Sequence, residues 1–221
     1  LGIVASYQGM TGDDLLATKL HERILAIREK QWGADSVLVG GVIDAVASRY
    51  IIRDFDRAMR LYARSMRLYE KAYKEKKPAT YAMYLYLRGF VCLSQRHYGL
   101  AEEYLIQTRD FLLDNQLETH QRMGSVLGAL ESLYWERGQY ERAIVLQDQL
   151  LDFHQTRNPG SLLVASTLQR YAHLNRSAGR TKRAQKLNTR AIRLYNELYA
   201  AAQNDASLPL HTQLTYAEQL A

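Results

Sequence analysis

A catalytic or metal site needs histidine, cysteine, aspartate or glutamate brought to ligand or proton-transfer spacing, such as two histidines one helical turn apart. The six histidines, His21, His97, His120, His154, His173 and His211, are scattered, with no His-x-x-x-His pair and no carboxylate at ligand spacing. No phosphate-binding glycine loop is present. Gly124-Ser125-Val126-Leu127-Gly128 lacks the Gly-x-Ser-x-Gly order of a nucleophile elbow, and its glycine spacing suits two helices approaching closely. Cys92 is the single cysteine, which excludes an internal disulfide and a cysteine-rich zinc site; it reads as a core side chain. These residues predict a binding protein rather than an enzyme, with no metal and no cofactor.

Hydrophobic residues at 47% and charged residues at 24% are ordinary globular values, and only three prolines interrupt a sequence rich in good helix formers. No apolar run is long enough to span a bilayer. The single cysteine is compatible with a cytoplasmic setting, and a start at Leu1 without methionine reads as a piece of a larger protein. The net charge is +6, unevenly placed. Residues 167–193 hold Arg170, Arg176, Arg180, Lys182, Arg183, Lys186, Arg190 and Arg193 with no acid, whereas residues 98–152 hold ten acids against four bases.

Internal periodicity organises the chain. Ala17, Ala58, Ala101, Ala143 and Ala184 recur every 41 to 43 residues. Three positions after each stand Leu20, Leu61, Tyr104, Leu146 and Leu187, and ten after stand Ile27, Leu68, Phe111, Phe153 and Leu194. Both columns are apolar and lie two turns apart, which places them on one helical face. Sixteen before each alanine are Leu1, Val42, Leu85, Leu127 and Leu168, marking a preceding helix. Gly12, Arg53, Arg96, Gly138 and Gly179 fall where the two helices must turn. The pattern predicts first helices near 1–11, 35–52, 79–95, 119–136 and 161–177, and second helices near 13–31, 55–75, 98–114, 140–156 and 181–203. A last helix near 208–220, with Ser207 as N-cap and Pro209 in its first turn, is expected to cap the stack. Each pair is too small to bury its own apolar stripe, so neighbours must stack.

The segment LESLYWERGQYERAIVL, with Leu130, Tyr134, Gly138, Tyr140 and Ala143 at signature positions, resembles the tetratricopeptide repeat. The period of about 42 residues exceeds that family's usual 34 and, with HERILAIREKQWGADSVLVGGVIDAVASRY at 21–50, resembles the long kinesin-light-chain type. The fold expected from the resemblance is all-α: a right-handed superhelical solenoid of about five helix pairs. Repeats would fill 1–206 (units near 1–33, 34–77, 78–116, 117–158 and 159–206), with a capping helix over 207–221. The family's small first-helix residue is Gly89 in one repeat but Val46, Glu131 and Ala172 in others.

In this family first helices line a concave ligand face. Carried onto this register, that face takes Ile43, Ala47 and Tyr50, then Met83, Tyr86, Phe90 and Leu93. Next come Ser125, Gly128, Ser132 and Trp135, then Ser166, Gln169, Arg170, His173 and Arg176. The strongest candidates for partner binding are Tyr50, Tyr86, Phe90 and Trp135 as aromatic anchors, with Gln169, Arg170, His173 and Arg176 as a basic end. The expected partner is a protein or peptide, with an acidic one suited to the basic end, and the setting a regulatory or assembly scaffold. Nucleic-acid binding through 167–193 is the alternative, followed by a ligand-sensing regulator; association between copies is a further option.

Overall fold

The computed structural model describes residues 14–204, which form nine α-helices and no strand. They are α1 (Asp14–Trp32), α2 (Val37–Tyr50), α3 (Phe55–Tyr73), α4 (Pro78–Ser94), α5 (Tyr98–Asp114), α6 (Gln121–Glu136), α7 (Tyr140–Arg157), α8 (Leu162–Ser177) and α9 (Thr181–Asn204). The helices expected at 1–11 and 208–220 lie outside the described residues. The chain divides after Leu117 into two units. In the first, α2 pairs with α3 and α4 with α5, while α1 packs on α2 and α3 on α4. In the second, α6 pairs with α7 and α8 with α9, and α7 packs on α8. Every helix boundary predicted from the repeat within this span falls within about two residues of the observed one.

Local chemistry sets those boundaries. Ser36 and Ser161 accept from the backbone N–H of Leu38 and Val164, each at 3.3 Å, and Asp54 accepts from that of Arg57 at 2.9 Å. Pro78 opens α4, where its missing N–H costs nothing. Three first helices end in the same reversal: His97 N–H donates to Cys92 O, Gln139 to Tyr134 O and Arg180 to Asn175 O, at 2.7–2.9 Å. The residue before each donor sits at positive φ, namely Gly138 at 69°, Gly179 at 76° and Arg96 at 60°. Arg96 thus occupies a left-handed position that glycine would fill more easily.

The alanine column is buried throughout: Ala17, Ala58, Ala101, Ala143 and Ala184 are at most 1% exposed. The apolar columns around it are less deeply placed. Of the set three residues on, only Leu146 is buried, and Ile27, in the set ten residues on, is 46% exposed. A buried seam runs four residues after the first four alanines, through His21, Tyr62, Leu105 and Gln147, and seven residues after the last four, through Ser65, Thr108, Leu150 and Ala191. Half of these side chains are polar, and each polar one finds a partner. Gln147 Nε2 donates to Thr167 O at 2.9 Å, joining α7 to α8, and Thr108 donates to Tyr104 O at 2.6 Å.

In the first unit the seam carries a charge. Arg88 of α4, 3% exposed, donates to Asp44 of α2 at 2.6 Å and to Ser65 of α3 at 2.9 Å. The hydroxyls of Ser65 and Tyr69 donate to the two oxygens of Asp44, at 2.5 and 2.8 Å. The Arg88 guanidinium lies 3.9 Å from the Tyr62 ring centroid. Three helices are thereby tied at one carboxylate. Tyr69 stays a neutral donor, since burial and the Asp44 charge push its ionisation far upward.

Close packing also fixes glycines. A Cβ at Gly89 of α4 would lie 2.7 Å from Leu105 Cγ and 3.2 Å from the Leu105 backbone nitrogen, whereas one at Gly41 of α2 meets nothing within 4 Å. Gly89→Ala is expected to destabilise the protein by about 1–3 kcal/mol, because backbone cannot yield as a side chain can. Gly41→Ala is expected to stabilise by about 0.5–1 kcal/mol through helix propensity. Urea unfolding of the two variants beside the parent checks both signs.

Candidate functional site

In the second unit, positions 131, 132 and 135 of α6 and 166, 169, 170 and 173 of α8 follow helical spacing, so each set projects from one face. Between them lies a cleft of about 460 Å³ lined by Glu131, Trp135, Ser166, Gln169, Arg170, His173 and Leu174. Its aromatic wall is Trp135, whose ring centroid is 5.0 Å from that of His173 and 5.4 Å from that of Tyr140. Leu174 is fully buried beneath it. Gln169 is held at one end: the Tyr195 hydroxyl of α9 donates to its Oε1 at 3.2 Å, which leaves the Nε2 hydrogens as the donors not engaged in that bond.

The polar wall is an ion pair of unequal exposure. Arg170 Nε donates to Glu131 Oε2 at 2.6 Å and Arg170 Nη2 to Ser132 Oγ at 2.8 Å; the Arg170 side chain is 51% exposed and that of Glu131 only 1%. Ser132 in turn donates to Gly128 O at 3.0 Å. Glu131 Oε1 is buried without a hydrogen-bond partner. Burial raises the Glu131 pKa, while the Arg170 charge and its hydrogen bond pull it back. Arg170 is therefore a guanidinium whose charge is compensated from below, and it keeps its Nη1 hydrogens for a ligand.

Of the eight candidates read from the sequence, Trp135, Gln169, Arg170 and His173 come together here. Arg176 is exposed on the last turn of α8 and does not line the cleft. The other three lie in the first unit. Tyr86 and Phe90 form an aromatic pair on α4, ring centroids 6.0 Å apart, with Phe90 50% exposed. Tyr50 ends α2 with its hydroxyl donating to Glu22 at 2.6 Å and the Arg57 guanidinium 4.1 Å from its ring, so it braces α1 against α3. Ile43, Ala47 and Leu93, placed on the ligand face by register, are buried core instead. Sequence reasoning missed Glu131 as a site residue. The available signal was a lone carboxylate one turn after Leu127 on a buried face, matched by an arginine at the corresponding level of the next repeat.

The basic stretch is similarly divided. Arg180 pairs with Glu141, and Arg183 donates to the Tyr171 hydroxyl at 2.6 Å with Asp148 3.6 Å away. Lys182, Lys186, Arg190 and Arg193 remain exposed along α9. Cys92 is fully buried and its thiol pKa is pushed up to about 11 by burial, the state of an unreactive core thiol. Among the described residues no cluster of metal-ligating side chains occurs, and no helix is long and apolar enough to cross a membrane.

Helix pairs repeating every 42 residues or so, with small residues at each crossing and a cleft between successive first helices, define an α-helical repeat scaffold. Residues 122–197 match the family model of the tetratricopeptide repeat. Among solved structures, the described fold is similar to BtubC (BKLC) from P. vanneervenii, at a TM-score of 0.67 and 21% identity over 94% of this chain and 81% of that one. It is also similar to the nearly identical TPR-like repeats of a Podosopora anserina kinesin-light-chain-type protein, at a TM-score of 0.69 and 16% identity over 89% and 93%. MamA is similar at a TM-score of 0.54 and 13% identity over 88% and 95%. No curated protein matches the sequence. Residues 122–197 therefore carry the tetratricopeptide-repeat pattern, and the described fold is similar to that of solved TPR-like repeat proteins. Such repeats serve in general as protein-interaction scaffolds and are typically non-catalytic.

Because the Glu131 pKa is raised in the fold, the stability linked to this carboxyl is fully present in acid and is lost as pH rises from the ordinary glutamate value of about 4.3 through the raised one. Glu131→Gln removes that loss, and the half-exposed Arg170 turns to water. Urea midpoints are expected to coincide for variant and parent near pH 4, with the variant gaining relative stability toward pH 7. A constant difference across the range would contradict the assignment.

Proposed function

We propose that the second unit is a peptide-binding module, in which an extended segment of a partner protein lies along the cleft between α6 and α8. The observation that carries this reading is convergence: an aromatic wall, an oriented amide and a guanidinium with free hydrogens surround one apolar floor. Trp135 and His173 offer wide, stiff surfaces that lose little entropy on contact, while Gln169 and Arg170 supply donors for backbone carbonyls. The exposed Phe90, stacked on the half-buried Tyr86 in the first unit, is a further contact surface in the same reading. The setting proposed is a regulatory or assembly protein in which this chain is the capture module. A peptide selected from a displayed random library against the intact chain is expected to lose affinity tenfold or more with Trp135→Ala or His173→Asp, as buried aromatic contacts dominate such interfaces. Gln149→Ala, an exposed and uncharged position of α7 that does not line the cleft, serves as the control that leaves affinity unchanged. Equal affinity across all three variants would move the binding surface elsewhere.

A second reading rests on α9. Lys182, Lys186, Arg190 and Arg193 fall within one helical face over about three turns, and no acidic partner is found for them among the described residues. Four such cations suit a polyanion. If single-stranded nucleic acid binds there, log K must fall with log salt at a slope of about −3, from about −0.7 per phosphate contacted. Titration of a labelled oligonucleotide at several salt concentrations measures it, and a flat response removes this reading.

A further inference from the structure

The geometry points to Glu131 as the residue that sets what side chain the cleft accepts. This inference rests on the peptide-binding reading above and concerns the chemistry of the ligand. Arg170 on α8 looks like an anion clamp, but its Nε is held 2.6 Å from a carboxylate that water cannot reach. A charge screened by solvent would count little against a ligand anion; a buried one at this range counts almost fully. A ligand carboxylate approaching the Nη1 hydrogens of Arg170 therefore meets the field of an ion pair, not of a cation, and must still shed its own hydration.

An uncharged carboxamide fits the same surface without that conflict. Its carbonyl accepts from Arg170 Nη1 and from Gln169 Nε2, the latter left available because Tyr195 holds Gln169 by its Oε1. Its N–H group finds the lone pairs of Ser166, whose own hydroxyl proton is committed to Leu163 O at 3.0 Å. Its plane lies against the Trp135 and His173 rings. The cleft is thus matched to the glutamine or asparagine side chain of an extended peptide and discriminates against glutamate and aspartate. The discriminating atoms belong to a residue that stands where the repeat otherwise keeps a smaller, uncharged side chain (Val46, Gly89, Ala172).

The test uses three blocked amino acids, N-acetylglutamine N-methylamide, its glutamate counterpart and its leucine counterpart, titrated at pH 7 into the ¹⁵N-labelled full chain. The reporter is the Trp135 indole N–H, with Trp32→Phe removing the other indole. The expected result is that the glutamine probe shifts the Trp135 signal and binds at least about threefold more tightly than either other probe. In Glu131→Gln, whose guanidinium is uncompensated, the order of glutamine and glutamate reverses. Equal or tighter binding of the glutamate or leucine probe to the parent, or an unchanged order in Glu131→Gln, overturns the inference and leaves the cleft as a binding site. No shift of Trp135 with any probe up to its solubility overturns the inference and the cleft reading together. The parent's own ranking decides the matter even if the variant fails to fold.

Discussion

Two helices can approach to backbone contact only where no side chain stands between them, and this protein meets that condition at one position in every repeat. Ala17, Ala58, Ala101, Ala143 and Ala184 are buried with the smallest side chain that still has a Cβ, and the repeat is spaced from them. Where a neighbouring side chain is large, the facing residue shrinks further. Gly40 lies against the Tyr69 ring, Gly89 against Leu105 and Gly124 against Phe153, each so close that a Cβ would sit within 2.8 Å. These knob-and-glycine pairs alternate with the alanines and hold paired helices at a fixed distance. The seam beside them is consequently narrow, and what fills it must fit both by shape and by hydrogen bond.

Polar residues fill much of that seam, which distinguishes one repeat from the next. Arg88 needs Asp44 and Ser65; Gln147 needs the carbonyl of Thr167; Tyr171 donates to Asp148 at 2.5 Å and accepts from Arg183. A purely apolar seam would let any repeat stack on any other, since all share the alanine register. A misordered stack here strands a buried guanidinium or carboxylate, at a cost of about 3–5 kcal/mol for each broken pair. The buried polar contacts therefore add less to net stability than to the order in which repeats follow one another.

The same feature explains what was legible in the sequence. Helix ends were legible because caps, prolines and positive-φ glycines are local, and the alanine column was legible because it repeats without exception. The seam four and seven residues on was not, because Ser65, Thr108, His21 and Gln147 break its apolarity and only a partner from another helix makes them buried residues. The cleft was half legible. Register and the repeat resemblance together put Trp135, Gln169, Arg170 and His173 on one face, and these four line a common cleft. Glu131 beside them reads in the sequence only as a departure from the repeat. A linear reading sees an acidic middle and a basic end. The fold interleaves them: Arg170 with Glu131, Arg180 with Glu141 and Arg183 with Asp148.

That interleaving separates two electrostatic roles that the composition alone would merge. Within the second unit the charges nearest the cleft cancel at short range, so recognition there depends on hydrogen-bond direction and aromatic contact. The uncompensated cations, Lys182, Lys186, Arg190 and Arg193, lie exposed on α9, away from the residues that line the cleft. Exposed charge of one sign acts over about a Debye length, near 8–10 Å at physiological salt, and raises encounter rates without dictating which side chain is seated. On the peptide-binding reading proposed above, an acidic partner would be drawn to this unit by α9, while the side chain seated in the cleft would be chosen by Glu131 and its neighbours on other grounds.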